Sequence, residues 1–75
     1  MKATVNRYCR GSYTATFPVS TGRGAVLFRI EGADQNWKIY NQFDVEINQW
    51  TSKRSMVEYL EDCTEAQIIE LSNKQ

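Results

Sequence analysis

The chain has 75 residues, of which 41% are hydrophobic and 24% are charged, and its nine basic and nine acidic side chains leave no net charge. This balance predicts one small globular domain over residues 1–75 and excludes a disordered segment. No apolar run approaches the roughly 18 residues of a membrane span, and the first residues lack the apolar core of a signal peptide, so we expect a cytoplasmic protein without membrane contact.

The charges are separated along the chain although they cancel overall. Residues 1–30 contain five basic and no acidic residues, whereas residues 31–75 contain four basic and nine acidic ones. If the two parts form different surfaces, the domain has a basic side and an acidic side. The alternative is that opposite charges pair across the fold and only aid solubility.

The first elements are predicted to be two strands joined by a hairpin. The β-rich runs 3–9 and 12–19 are separated by Arg10-Gly11, which suits a tight turn because glycine accepts a positive φ. Pro18 cannot donate a backbone hydrogen bond, so the second strand either ends there or lies at an edge. Residues 20–24 predict a flexible turn, because a phosphate-binding loop would need a third glycine and a following helix.

A central strand and a long alternating strand follow. Residues 25–30 are apolar and β-branched, which predicts a buried strand, and residues 31–36 are turn formers. Apolar and polar side chains alternate over residues 37–50, which predicts a strand with one buried and one open face. The alternative is a bend near Asn41-Gln42 that divides this run into two shorter strands.

The period changes to that of a helix from residue 51 onward. Thr51 or Ser52 is available as the N-cap of a first helix, and Thr64 with Gln67 has the capping-box pattern of a second. A single kinked helix over residues 52–73 is the alternative, because no glycine or proline interrupts this segment.

These elements predict an α+β fold in which a four-stranded antiparallel sheet (residues 1–50) is followed by two C-terminal helices (residues 51–75) packed on one face. The expected core consists of Val5, Phe17, Val26, Phe28, Ile39, Phe43, Val45, Ile47, Met56, Leu60, Ile68 and Leu71.

No sequence motif identifies a catalysed reaction. We therefore expect a protein that is not an enzyme and needs no cofactor or metal. The chain has no histidine, so the usual base for a hydroxyl nucleophile is missing. Asp44 and Glu46 share a predicted strand face and suggest a metal-dependent hydrolase only weakly, since such alternating acids are usually solvated. Cys9 and Cys63 match neither a redox nor a zinc motif, and we expect both to be reduced and at least partly buried.

Two surfaces are candidates for binding a protein partner. On the open strand face, aromatic rings lie beside charges, as they do in protein interfaces; on the first helix, acidic side chains could occupy a basic groove. The predicted partner-binding residues are Lys38, Tyr40, Asp44, Glu46, Trp50, Glu58, Glu61 and Asp62. In size and charge, the chain is analogous to the small α+β proteins by which phages or mobile elements inhibit nucleic-acid-handling complexes of their host. An inhibitory protein-binding module is therefore one expectation.

The competing hypothesis is nucleic-acid binding by the basic N-terminal sheet, where rings and guanidinium groups lie close together in sequence. Its predicted contact residues are Arg7, Tyr8, Arg10, Tyr13, Arg23 and Arg29.

Overall fold

Five strands lie within residues 2–20 and 24–75, which are the residues that the computed structural model describes. They are β1 (Thr4–Cys9), β2 (Ser12–Pro18), β3 (Ala25–Ala33), β4 (Asn36–Tyr40) and β5 (Glu46–Trp50), and they are followed by the helices α1 (Lys53–Glu61) and α2 (Glu65–Ser72). Each strand pairs antiparallel with its sequence neighbours in the order β1-β2-β3-β4-β5. The predicted α+β class is confirmed, and the sheet has one strand more than predicted.

The additional strand arises because a turn over residues 41–45 divides the long alternating run. Asn41 donates its backbone N–H to the carbonyl of Val45 (3.1 Å), and Asp44 adopts the left-handed conformation with φ 59°. The chain therefore reverses, and residues 46–50 return along β4 as β5. The alternative of two shorter strands is thus the correct one, and the single strand is wrong.

The first hairpin forms where it was predicted. Gly11 has φ 78°, a value that glycine adopts without a steric penalty, and β2 ends at Pro18. Beyond it, the N–H of Val19 donates to the carbonyl of Gly24 at 3.0 Å. The predicted turn at residues 20–24 falls partly outside the described residues, since residues 21–23, including Arg23, are among those the structure does not describe.

The core lies between the helices and one face of the sheet. Its buried side chains are Ala15, Phe17, Phe28, Ile30, Ile39, Met56, Leu60, Cys63 and Ile68. Phe17 and Phe28 meet edge to face at 5.9 Å between ring centroids, a favourable aromatic geometry. The predicted core residues Val5, Val26, Ile47 and Leu71 are partly buried against this cluster.

Two of the predicted core residues lie elsewhere. Phe43 is 47% exposed, and Val45 is only half-buried and lies outside the core cluster. Both belong to the turn over residues 41–45, where the alternation of strand side chains no longer applies. These two core predictions are therefore wrong.

The two helices are separate, as predicted, and each begins at a capping residue. Ser52 accepts a hydrogen bond from the N–H of Ser55, and Thr64 and Gln67 form a complete capping box. The single kinked helix is therefore wrong. The change of direction between Asp62 and Thr64 lets α2 begin beside the end of β2 and finish beside the end of β4.

Hydrogen bonds at three places hold the helices at the end of the sheet where β1 begins and where β2 and β4 end. Glu61 accepts the N–H of Ala3 at 2.8 Å, and Glu65 accepts both the N–H and the hydroxyl of Ser20. Asn41, which is only 4% exposed, donates its amide to the carbonyls of Leu71 and Lys74. Both helices consequently pack on the face that carries Phe28 and Ile30, and the opposite face stays open.

Candidate protein-binding surface

The open face is the side of the sheet that neither helix covers. Strand register places Thr14, Arg29 and Tyr40 in one row across β2, β3 and β4, with Glu31 and Lys38 paired in the adjacent row. We define the open face by the side chains Thr14, Thr16, Leu27, Arg29, Glu31, Lys38, Tyr40 and Glu46 together with Asp44 of the following turn. Leu27, in the middle of β3, is 55% exposed on this face.

Arg29 is held at the centre of the open face by three neighbours. Its Nη1 atom lies 2.7 Å from Asp44 Oδ1, its Nε atom lies 2.6 Å from Glu31 Oε2, and its guanidinium carbon lies 4.6 Å from the centroid of the Tyr40 ring. The Nε–H is shielded from solvent and does not point along a hydrogen-bond direction, so its contact with Glu31 is an ion pair only. The guanidinium is fixed by contacts on three sides, and little further side-chain entropy is lost if a partner contacts it.

The remaining charges of the open face also occur in a pair. Lys38 Nζ lies 3.5 Å from Glu46 Oε1, and both side chains are at least 40% exposed. Exposed ion pairs of this kind contribute about 0–1 kcal/mol to stability. The positive and negative charges of the open face are therefore nearly balanced. The small contribution of these ion pairs to stability does not explain why the charged residues are present.

A shallow depression of about 240 Å³ lies at one side of this surface, lined by Glu31, Gly32, Asn36, Lys38 and Tyr40. Small-molecule sites usually occupy at least about 300 Å³ and are mostly apolar. This depression is smaller and partly lined by charged groups, so it lacks the features of a small-molecule site.

Trp50 was predicted to share the open face, and this prediction is wrong. It lies opposite Trp37 on the covered side, packs against the core, and its ring is 5.2 Å from that of Tyr59. Glu46, after the turn, still lies beside Tyr40 on the open face, but the register shift between Ile39 and Tyr40 changes the phase of the alternation within β5, so Trp50 points to the other face.

The acidic residues of the helices do not form one continuous free surface. Glu61 and Glu65 are engaged with Ala3 and Ser20, and the hydrogen bonds from the Ser20 N–H and hydroxyl lower the pKa of Glu65. Glu58 of α1 and Asp62, the C-cap residue of this helix, remain exposed, and Arg54 Nε lies 3.1 Å from Glu58 Oε1. Of the three predicted helix residues, only Glu58 and Asp62 are therefore presented to a partner.

The charges of α1 oppose the dipole of the helix. Its first turn contains Lys53 and Arg54 but no acid, and its C-terminal turn contains acidic but no basic side chains. Anions are favoured at a helix N-terminus and cations at a C-terminus by about 0.3–1 kcal/mol each, so this placement is locally unfavourable. Lys53 has a structural role, since its Nζ lies 4.2 Å from the centroid of the Tyr13 ring.

The residues predicted to bind nucleic acid are dispersed. Arg7, Tyr8 and Arg10 are exposed at β1 and its turn, but Tyr13 packs against the core and Arg29 is paired on the open face. Arg23 lies outside the described residues. Three of the six predicted residues are thus exposed near one another in sequence, and the structure adds none of the others to them.

The two acidic residues predicted for a metal site contact different partners. Asp44 contacts Arg29 while Glu46 contacts Lys38, and among residues 2–20 and 24–75 no group of three potential metal ligands occurs.

Both cysteines are free thiols. Cys63 is buried, and its burial, followed by the adjacent Asp62 carboxylate, raises the pKa of its thiol. Cys9 is exposed on the edge strand, so its predicted partial burial is wrong.

Sequence reasoning missed Leu27 and Glu31 as surface residues. Their signal is the alternation within residues 25–31, where Leu27, Arg29 and Glu31 occupy every second position and Phe28 and Ile30 the positions between. The run was interpreted as a strand buried by apolar side chains, and Glu31 was assigned to a loop that proves to be the continuation of β3.

Within the part of the chain that the structure describes, neither helix is long and apolar enough to cross a membrane. Comparisons of this chain with protein-family models, with curated proteins and with solved structures give no match.

Proposed function

We propose that the chain is a non-catalytic protein-binding module that contacts its partner through the open face. The observation that carries this proposal is the exposed Leu27 beside Arg29, whose guanidinium is already fixed against Tyr40 and two carboxylates. Arginine and tyrosine are the residue types that most often contribute large binding energies in interfaces. Charged groups around them are typical of an interface rim.

The dimensions of the molecule agree with this proposal. An interface of standard size takes about 800 Å² from each partner. The accessible surface is 5049 Å², so such an interface covers about a sixth of it, which one face of the sheet can supply. The ion pairs also suit specificity, because a partner must match the positions of Arg29 and Lys38 against three carboxylates.

Site-specific photo-crosslinking tests this proposal. A photoreactive phenylalanine analogue is placed at Leu27 or Tyr40 on the open face, and at Tyr59 or Glu70 as exposed positions on the helix side. In cells of the native host, we expect one discrete adduct from the open-face positions and none from the helix positions. The reverse pattern would overturn the proposal.

A second candidate surface is the exposed acidic pair Glu58 and Asp62 at the C-terminal end of α1. It is favoured by the charge placement against the helix dipole, because local violations of stability rules occur at functional sites. Such a pair would fit a basic groove of a nucleic-acid-handling protein, and the module would then act as an inhibitor of it.

Charge-neutralising variants separate this candidate from the open face. Glu58→Gln with Asp62→Asn should weaken partner capture at least tenfold if α1 is the contact surface, whereas Glu70→Gln on α2 serves as the matched control. If the open face is the contact surface, Leu27→Ala with Tyr40→Ala has that effect instead. Both sets change exposed or half-buried side chains, so circular dichroism should show an intact fold.

A further inference from the structure

The edge strand β1 is the least protected element of the sheet. It pairs with β2 on one side only, and five of its six residues are exposed, including Tyr8 at 82%. An unpaired strand edge presents backbone N–H and carbonyl groups that can pair with another extended chain. The other edge strand, β5, has Ile47 and Trp50 packed against the core and contacts α1.

The charged side chains within the β1–β2 hairpin all have one sign. Arg7 lies in the strand and Arg10 in its hairpin, and neither forms an ion pair with any residue in the described part of the chain. Residues 1–30 contain no aspartate or glutamate, so no acid of the β1–β2 hairpin compensates them. This differs from the open face, where both basic side chains are paired with carboxylates.

We infer that β1 accepts an acidic, extended segment of a protein partner as a further strand of the sheet. Backbone pairing along the edge would supply affinity, and the basic side chains would select acidic residues in the added strand. A second copy of this chain fits less well, because pairing two β1 strands would bring the unpaired arginines of both copies together. This site is distinct from the open face and does not depend on it.

Peptide titration followed by ¹H–¹⁵N NMR tests the inference on the whole chain. The probe is a short, blocked peptide of alternating glutamate and valine, and the first control replaces each glutamate with lysine. A second control carries N-methyl groups on every backbone amide, which removes strand pairing but keeps the charge. We expect the acidic probe to shift the amide signals of residues 4–9 and to slow their hydrogen exchange, and both controls to bind at least tenfold more weakly.

Variants assign the effect to the two arginines. Arg7→Gln with Arg10→Gln should weaken binding of the acidic probe several-fold. Lys74→Gln also removes an exposed basic charge but lies beside the end of β4, away from β1, and should leave the binding unchanged. Equal binding of the lysine peptide, equal binding of the N-methylated peptide, or shifts confined to other strands would overturn the inference.

Two further outcomes would also overturn the inference, and each would identify a different ligand of β1. Tight binding of a single- or double-stranded oligonucleotide in fluorescence anisotropy, lost in the arginine variant and falling steeply with salt, would assign β1 to nucleic acid. A dimer in sedimentation analysis that is lost when β1 is altered would assign it to a second copy of the chain.

Discussion

The two faces of the sheet are built from the same strands but differ in what their side chains do. Phe28 on the covered face is fully buried, whereas its neighbour Leu27 is 55% exposed on the open face. The covered face contributes apolar burial, which is the main stabilising term in a domain this small. The open face carries exposed ion pairs that contribute little to stability, which agrees with the proposed role of this face in binding.

The largest expected effect compares these two neighbours directly. Phe28→Ala removes a buried ring from the core and should lower the free energy of unfolding by about 3–5 kcal/mol, while Leu27→Ala should change it by about 0.5 kcal/mol or less. Urea denaturation followed by tryptophan fluorescence measures both. Similar losses for the two variants would show that the open face also stabilises the fold.

The turn that divides the alternating run gives the next largest effect. The side-chain oxygen of Asn41 accepts the N–H groups of Phe43 and Val45, and its amide holds the end of α2. Asn41→Ala leaves these part-buried groups without their partners and should cost about 1–3 kcal/mol. Gln42→Ala is the comparison in the same turn: it removes the hydrogen bonds of an exposed side chain to Ser72 and Asn73 and should cost less. An equal loss there would argue against a special role for Asn41.

A smaller effect is expected at the start of α2. Thr64→Ala removes the capping box and should cost about 1 kcal/mol, whereas the exposed Thr51→Ala, next to the N-cap Ser52, should cost clearly less. Thermal melts of the two variants measure the difference. Equal melting temperatures would mean that the cap contributes nothing beyond the packing of Ile68 on the covered face.

The smallest expected effect is the pH dependence that Glu65 contributes. Its pKa is lowered in the folded protein by the hydrogen bonds from Ser20, so it stabilises the fold at neutral pH. This contribution is lost as pH falls from the ordinary glutamate pKa, near 4.5, through the lower folded-state value. Glu65→Gln should therefore be less stable than the parent at pH 7 and indistinguishable from it at the lowest pH where both fold. A constant difference across that range would contradict the assignment.

Short-range signals in the sequence predicted much of the fold correctly. Gly11 marked the first hairpin, Pro18 the end of β2, and Thr64 with Gln67 the second helix. Each of these depends on the conformational preference or hydrogen bonding of a few neighbouring residues, so the local sequence contains the whole cause.

The candidate binding surface was predicted only in part. Lys38, Tyr40 and Glu46 lie on the open face as expected, but Trp50 does not, because a register shift between Glu46 and Asn48 moves the end of β5 to the other face. In the sequence, Asn41 is a polar exception among the alternating apolar residues of the segment 37–47. The structure explains it by hydrogen bonds to the carbonyls of Leu71 and Lys74, which lie 30 and 33 positions away. Such partners cannot be identified from alternation alone.

The sequence by itself determined the α+β class, the two capped helices and the unequal distribution of charge, since these follow from periodicity, capping and composition. Only the tertiary structure decided which charged groups remain available to a partner. Glu61 and Glu65 meet Ala3 and Ser20 across 58 and 45 positions of sequence, whereas Arg7 and Arg10 acquire no such partner among the described residues. The reason is geometric: a charge is neutralised by the group that folding places within a few ångströms of it, and the sequence does not specify that distance.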